Sequence, residues 1–190
     1  MAACDGERRA VLTSSRAPEI LPLAIGNIWW GTSYVYNLAD STVDTSKVTI
    51  MVAADTIAAG SRWFDYSIYP PGPKTMRNWS CNRSDGLYRL ARFYGDSLEP
   101  GLEVRYPALR GDVYMRGPDT VRVVSTDSLV QVSGRMVRCH VHVCRSTEYG
   151  FMFIQYLSPA LGYVRTEAAQ PGEDPGQARV HFELDSALIL

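Results

Sequence analysis

The chain has 190 residues and a formal net charge of -1, with 46% hydrophobic and 21% charged residues. That length allows one domain with a sizeable core. Because 19 basic and 20 acidic residues are mixed along the chain, the charge pattern does not favour nucleic acid as a partner, and no apolar run is long enough for a transmembrane helix.

Residues 1–19 are mostly polar and are predicted to form a flexible leader or tether. Cys4 follows Ala2 and Ala3, as at the end of a bacterial lipoprotein signal, but the basic and apolar parts of such a signal do not precede it here. We interpret the start as trimmed and Cys4 as a candidate lipid-attachment residue. A membrane would then be a partner through that lipid.

Residues 20–190 are predicted to form a single antiparallel β domain. Short stretches of alternating apolar and polar residues recur between turn residues, as is typical of strands. The predicted strands cover residues 29–37, 47–53, 62–69, 76–81, 87–94, 121–124, 129–132, 138–144, 151–156 and 180–184. Ala53–Ala59 is the best helix candidate. The predicted fold class is all-β, an antiparallel barrel, half-barrel or sandwich of roughly 8–11 strands.

Two segments that precede predicted strands share a Pro/Gly pattern. Residues 22–27 read PLAIGN and residues 107–112 read PALRGD, so in each a proline lies four positions before a Gly-Asn or Gly-Asp turn. Glycine suits a positive φ, and Asn or Asp can hydrogen-bond the nearby backbone. We expect the two segments to form equivalent corners of one sheet.

The stretch Phe151–Glu167 contains a strand, a turn at Ser158-Pro159 and a second strand. Its entering strand is apolar on both faces: Phe151 and Phe153 lie on one, and Met152, Ile154 and Tyr156 lie on the other. A strand with one face in water alternates instead. We therefore expect protein core, a packed loop or a ligand to cover both faces.

Four short patterns occur along the chain: PLAIGNIW at residues 22–29, YPALRGD at 106–112, VQVSGRMVRC at 130–139 and YLSPALGYV at 156–164. In this order they resemble a group of bacterial secreted or lipid-anchored β proteins of unknown function. The resemblance covers about residues 20–190. It implies an extracytoplasmic β domain, in the cell envelope or secreted, and it supplies no catalytic residues.

Besides Cys4, the chain has Cys81, Cys139 and Cys144, which allow one disulfide. Cys139 and Cys144 are five positions apart, so on one strand they point to opposite faces and cannot bridge each other. Cys81 is therefore expected to pair with Cys139 or with Cys144.

The sequence Cys139–Cys144 reads CHVHVC and suggests a metal site. Strand alternation places His140, His142 and Cys144 on one face. Two imidazoles and a thiolate are suitable ligands for zinc or copper, with His181 as a candidate fourth ligand. The alternative is an outward polar face with Cys139 in the core.

Aromatic residues are candidates for a ligand-lining role. They are Trp29, Trp30, Trp63, Phe151, Phe153 and Tyr156. Such side chains can line a groove for a sugar or lipid, but at strand starts they more often form core and cross-strand pairs.

Two short motif matches do not indicate a function for the chain. Residues 95–98 read GDSL, the nucleophile box of an esterase family, but no Asp-x-x-His follows to supply the base. Residues 110–112 read RGD, which the predicted corner already explains.

The predicted function is a non-catalytic binding or structural role at the bacterial cell envelope, without a cofactor. One alternative is a carrier that holds a lipid or another apolar small molecule in a curved sheet. The other is a metal-binding envelope protein that uses His140, His142 and Cys144.

Overall fold

The computed structural model of the chain describes residues 19–37, 42–58, 60–69, 76–91, 99–147, 150–159, 161–169 and 179–190. The predicted leader up to residue 18, including Cys4, lies outside these ranges, as do the GDSL match at 95–98 and the loop at 170–177. Within these ranges no helix is long and apolar enough to cross a membrane.

Twelve strands account for most of the described residues. They are β1 (Ile28–Asn37), β2 (Thr42–Ala58), β3 (Ser61–Tyr69), β4 (Met76–Arg83), β5 (Gly86–Ala91), β6 (Glu99–Arg105), β7 (Val113–Arg116), β8 (Asp119–Val132), β9 (Arg135–Arg145), β10 (Met152–Ser158), β11 (Gly162–Ala169) and β12 (Arg179–Leu188). The all-β prediction is confirmed, with slightly more strands than the sequence indicated.

The strands form one antiparallel sheet in the order β6-β5-β4-β3-β2-β1-β12-β11-β10-β9-β8-β7. The first strand therefore pairs with the last, with Ile28 opposite Leu188, and the sheet curves into a nearly closed barrel. The two edge strands, β6 and β7, approach each other, but no backbone ladder joins them in the described part of the chain. We call this junction the seam.

One local prediction fails because the sheet overrides local preference. Residues 53–58, part of the helix candidate, continue β2, where Asp55 lies opposite Phe64 of β3. Strand β6 begins with Glu99-Pro100-Gly101. Proline is tolerated there because β6 is an edge strand and one side of it needs no donor.

The first Pro/Gly corner, residues 22–27, turns as predicted. Gly26 has φ 95°, a conformation that glycine adopts without strain. Its N–H donates to the Val52 carbonyl of β2 at 3.0 Å, and the Val52 N–H donates to the Asn27 carbonyl at 3.0 Å. Asn27 Nδ2 donates to the Pro22 carbonyl at 2.8 Å. The corner thus extends the ladder between β1 and β2.

The second corner, residues 107–112, repeats this arrangement. Gly111 has φ 96°, its N–H donates to the Val123 carbonyl of β8 at 2.8 Å, and the Val123 N–H donates to the Asp112 carbonyl at 2.9 Å. The β8–β9 ladder shifts register directly after Val123, and the β2–β3 ladder shifts register directly after Val52. Each half of the sheet, β1–β6 and β7–β12, therefore opens with the same corner and bulge.

Residues 20–24, which we call the plug, close one end of the barrel. Ile20 and Leu21 are fully buried in the main core. The Leu21 carbonyl accepts a hydrogen bond from Asn82 Nδ2 of β4 at 2.7 Å, and the Leu21 side chain lies against Gly162 at the start of β11. Because β4 and β11 are on opposite sides of the barrel, the plug crosses its end.

The three described cysteines are free thiols, so the predicted disulfide is wrong. Cys81 lies on β4, whereas Cys139 and Cys144 lie on β9, across the barrel. All three are buried. Burial raises the pKa of the Cys139 thiol to about 11, and Cys139 belongs to the main core, where such a thiol acts as a small apolar side chain.

Gly162 should tolerate a methyl group poorly. It has φ 76°, and a Cβ there would overlap Cδ1 of Leu21, which is fully buried and cannot swing away. Gly60 has φ 69° with open space around it, so Gly60→Ala carries the backbone cost alone. We expect Gly162→Ala to lower the free energy of unfolding by about 2 kcal/mol more than Gly60→Ala does. Urea unfolding measures both, and equal losses would show that the plug does not press on β11.

Candidate functional site

A cavity of about 470 Å³ lies inside the barrel. Side chains from β1–β6 and β10–β12 surround it, and Leu21 of the plug lies at its floor. Val35, at the end of β1 away from the plug, also lines it and is 60% exposed. The cavity is therefore closed by the plug at one end and open to solvent at the other.

One wall of the cavity is apolar and comes from β1–β3. Its residues are Val35, Val48, Ile50, Tyr66 and Ile68. Val48 and Ile50 point inward on alternate positions of β2, and Tyr66 packs edge-on against Trp29 with ring centroids 5.4 Å apart. Burial raises the pKa of the Tyr66 hydroxyl far above its ordinary value, so this wall carries no charge at neutral pH.

A second, polar wall adjoins the first on β4–β6, since β4 pairs with β3, and Gln155 of β10 belongs to it. Its residues are Asn78, Ser80, Arg89, Glu103 and Gln155, and Ser33 and Ser46 add hydroxyls beside the apolar wall. Arg89 and Glu103 are the charged members of the lining, and Arg89 Nη2 lies 3.2 Å from Glu103 Oε2. The two side chains differ in access: 39% of Arg89 is exposed and only 10% of Glu103.

Glu103 also joins the two sides of the seam. Its second oxygen, Oε1, lies 3.5 Å from Nη1 of Arg116 on β7. Arg116 Nη2 is in turn 3.7 Å from Asp119 at the start of β8, and its Nη1 donates to Gln155 Oε1 at 3.5 Å. A nearly buried carboxylate on β6 thus contacts two arginines, one on the neighbouring strand β5 and one across the seam on β7.

Tyr114 of β7 adds neutral contacts across the same seam. Its hydroxyl donates to the Glu103 carbonyl of β6 at 3.5 Å and lies 3.0 Å from His142 Nδ1. The Arg105 guanidinium of β6 lies 5.6 Å from the centre of the Tyr114 ring, within the range of a cation–π contact. Side-chain contacts therefore hold the two strands of the seam together, as backbone hydrogen bonds do between the other neighbouring strands.

The three predicted metal ligands of β9 lie close to this seam, but two of them already have partners. His142 Nδ1 contacts the Tyr114 hydroxyl, and Cys144 Sγ accepts from Arg116 Nη2 at 3.0 Å. Burial, with repulsion from His140 adding to it, lowers the pKa of His142 to about 4. Burial raises the pKa of Cys144 to about 11, which disfavours the thiolate that a metal needs.

Of the remaining members of that prediction, His140 lies beside His142, with ring centroids 6.4 Å apart, whereas His181 is distant. His140 stacks edge-on against Tyr106 with ring centroids 5.2 Å apart. His181 lies against Tyr36 on β1, three strands from β9. Across the described ranges, no group of three His, Cys, Asp or Glu side chains is placed to hold a metal ion.

The predicted aromatic lining lies outside the cavity, beginning with the tryptophans. Trp29 is buried in the main core, and its indole N–H donates to the Leu161 carbonyl at 2.6 Å. Trp30, the next residue on the strand, is partly exposed. Trp63 is buried, donates to the Ala58 carbonyl at 2.9 Å and lies under the guanidinium of Arg83. None of the three lines the cavity.

The aromatics of the stretch that opens β10 are likewise elsewhere. Phe151 and Phe153 lie against each other, with ring centroids 6.2 Å apart. The Tyr156 hydroxyl donates to Glu167 of β11 at 3.3 Å, and its ring packs on the main core. Gln155, between them, is the residue of β10 that lines the cavity. On this strand Tyr156 thus packs on protein, whereas Gln155 on the other face borders the cavity.

Sequence reasoning missed Arg89 and Glu103, although each leaves a trace. Arg89 interrupts the apolar run Leu87–Ala91, and Glu103 lies between Leu102 and Val104. A charged residue enclosed by apolar neighbours on a strand is a signal of a buried ion pair. The sequence alone does not show that the two belong to one pair.

Comparisons with known proteins agree on the fold. No protein-family model matches the chain, and no curated protein matches it. Among solved structures, the chain is similar to a candidate lipoprotein of Parabacteroides distasonis, with a TM-score of 0.52 and 10% identity over 91% of this chain and 100% of that one. It is also similar to a candidate exported protein of Bacteroides fragilis with a YmcC-like fold, with a TM-score of 0.48 and 13% identity over 88% of this chain and 98% of that one. At these identities, what the chain has in common with the first of them is its fold.

Removing the charge of Glu103 should destabilise the seam. Glu103→Gln keeps the shape of the side chain but leaves Arg89 and Arg116 without their shared counter-charge, so we expect the free energy of unfolding to fall by about 3 kcal/mol. Asp185→Asn is the matched control, because the Lys47–Asp185 pair is largely exposed and should contribute less than about 1 kcal/mol. Chemical unfolding of both variants tests this, and a loss at Glu103 no greater than at Asp185 would contradict it.

Proposed function

We propose that this chain is a non-catalytic binding domain that holds a small ligand with apolar parts in the interior of its barrel. The observation that carries the proposal is the cavity of about 470 Å³, closed by the plug and open at the other end. Its size falls within the range of small-molecule sites in proteins, which are mostly apolar with a few placed polar groups.

The chemistry of the lining supports binding rather than catalysis. Ser33, Ser46 and Ser80 bring hydroxyls to the cavity, but the described residues of its lining include no histidine, and a serine without an adjacent base is a poor nucleophile. Each carboxylate oxygen of Glu103 already faces an arginine. The ligand would be held by shape, apolar contact and hydrogen bonds.

Filling the cavity should abolish binding. Ser46 lines the cavity from β2, and Thr45 on the opposite face of the same strand is exposed. We expect Ser46→Phe to raise the dissociation constant of a neutral apolar fluorescent dye about tenfold or more, because the new ring occupies the ligand's space. Thr45→Phe adds the same ring outside and should change nothing. Dye titration decides, and no dye uptake by the wild-type chain would overturn the proposed function.

We also propose that the domain works at the bacterial cell envelope, anchored through Cys4. The proposal is supported by the likeness in fold to a candidate lipoprotein of Parabacteroides distasonis and by the Ala-Ala-Cys sequence at Ala2–Cys4. Cysteine is the residue type that such an anchor modifies.

Lipid attachment gives a direct test of the anchor. In bacteria that express the gene and are fed an alkyne fatty acid, the wild-type protein should be labelled and Cys4→Ser should not. Cys81→Ser is the control, because that thiol is buried and should have no part in labelling. Gel fluorescence after click coupling reads the result; label that persists in Cys4→Ser would exclude this residue as the anchor.

A further inference from the structure

The two walls of the cavity demand two kinds of chemistry from one ligand. Val48, Ile50 and Ile68 offer only apolar surface, and Asn78, Ser80 and Arg89 offer polar groups on the adjoining strands β4 and β5. A pure hydrocarbon would remove those polar groups from water without giving them a partner, which is costly. A fully polar solute would gain nothing from the apolar wall. The cavity therefore suits an amphiphile.

The charges behind the polar wall cancel one another. Glu103 pairs with Arg89 and Arg116, and Arg116 also pairs with Asp119. An anionic head group next to Arg89 would face the carboxylate of Glu103, and a cationic one would face two guanidinium groups. Either would add a charge without a counter-charge to a partly buried site, which is unfavourable.

An uncharged head group avoids that cost. Arg89 is the cation of the lining and keeps 39% of its side chain exposed while bound to Glu103. A guanidinium has five N–H donors in a fixed fork, so Arg89 can donate to a carbonyl or hydroxyl oxygen while it keeps its ion pair. Ser80 and Asn78 border the same position on β4.

The volume limits the apolar part. A cavity of 470 Å³ equals about 15 molecules of liquid water at about 30 Å³ each, and a methylene group is of similar size. One acyl chain fits that space. A phospholipid with two chains has several times as many atoms and does not fit.

We propose that the ligand is a single-chain amphiphile with an uncharged, oxygen-bearing head group, such as an acyl chain esterified to glycerol. The chain lies along the apolar wall of β1–β3, and the head group accepts a hydrogen bond from Arg89. This assignment rests on the proposed function and makes Arg89 the residue that selects the head group.

Competition against the apolar dye tests the assignment with three probes of equal chain length. They are 1-monomyristoylglycerol, myristate and tetradecyltrimethylammonium, each below its micelle concentration. We expect the uncharged glyceride to displace the dye at about tenfold lower concentration than either ion, the difference expected from one hydrogen bond to a charged group together with the charge penalty.

Arg89→Lys provides the residue-level test. Lysine keeps a cation for Glu103 but lacks the fork, so the affinity for the glyceride should fall about tenfold relative to the affinity of the same variant for the dye. Arg77→Lys is the control, because Arg77 is exposed and does not line the cavity. Circular dichroism verifies that both variants are folded; if Arg89→Lys is not, the ranking of the three probes on the wild-type chain decides.

The outcomes separate the two proposals. If the dye binds, but myristate or the ammonium probe displaces it at the same or a lower concentration than the glyceride, the head-group assignment is overturned. The proposed function then still stands. Dye binding with an unchanged glyceride affinity in folded Arg89→Lys would overturn the role of Arg89. No dye binding at all would overturn both the proposed function and this assignment.

Discussion

The carboxylate of Glu103 is the group on which barrel closure depends. A sheet of twelve strands has two edges, and unpaired edges are a liability that barrels remove by closing. Here β6 and β7 meet without a backbone ladder among the described residues, so the junction relies on the ion pair of Glu103 with Arg116 and on the Tyr114 hydroxyl. A buried carboxylate is stable only when it is paired in this way.

The same cluster lies between a packed part and a hollow part of the barrel. Near β7–β9 the interior is filled by Tyr114, Val121, Val123 and Cys144, which form a second small core. Side chains of β1–β6 and β10–β12 line the cavity instead. Glu103 lines this cavity and contacts Arg116 of β7, next to the packed part.

Features set by a few consecutive residues could be predicted from the sequence. The corners at Gly26 and Gly111 are examples, because a proline, a glycine and an Asn or Asp determine the turn locally. The start of β5 at Gly86, one residue before the predicted strand 87–94, is another. These predictions needed no knowledge of which strands would meet.

Features set by strand pairing could not be predicted in this way. Trp29 and Trp63 are aromatic and begin strands, but which face of the sheet is the cavity depends on how β1 meets β12. Gln155 lies within an apolar stretch and nevertheless faces the ligand space. The Arg89–Glu103 pair joins adjacent strands, yet its position inside the barrel follows only from closure at the seam. The candidate site is therefore a product of long-range contacts.

The strand order has a consequence for how the chain folds. Every ladder except one joins strands that follow each other in the chain, and such hairpins form through short loops. The exception joins β1 to β12, bringing Ile28 opposite Leu188, and carries the largest loop-closure entropy of the ladders. Because Val48 and Phe182 line the cavity from the two sides of this junction, the ligand space exists only after the last long-range ladder has formed. A ligand in the cavity would therefore distinguish the complete barrel from two halves that have folded separately.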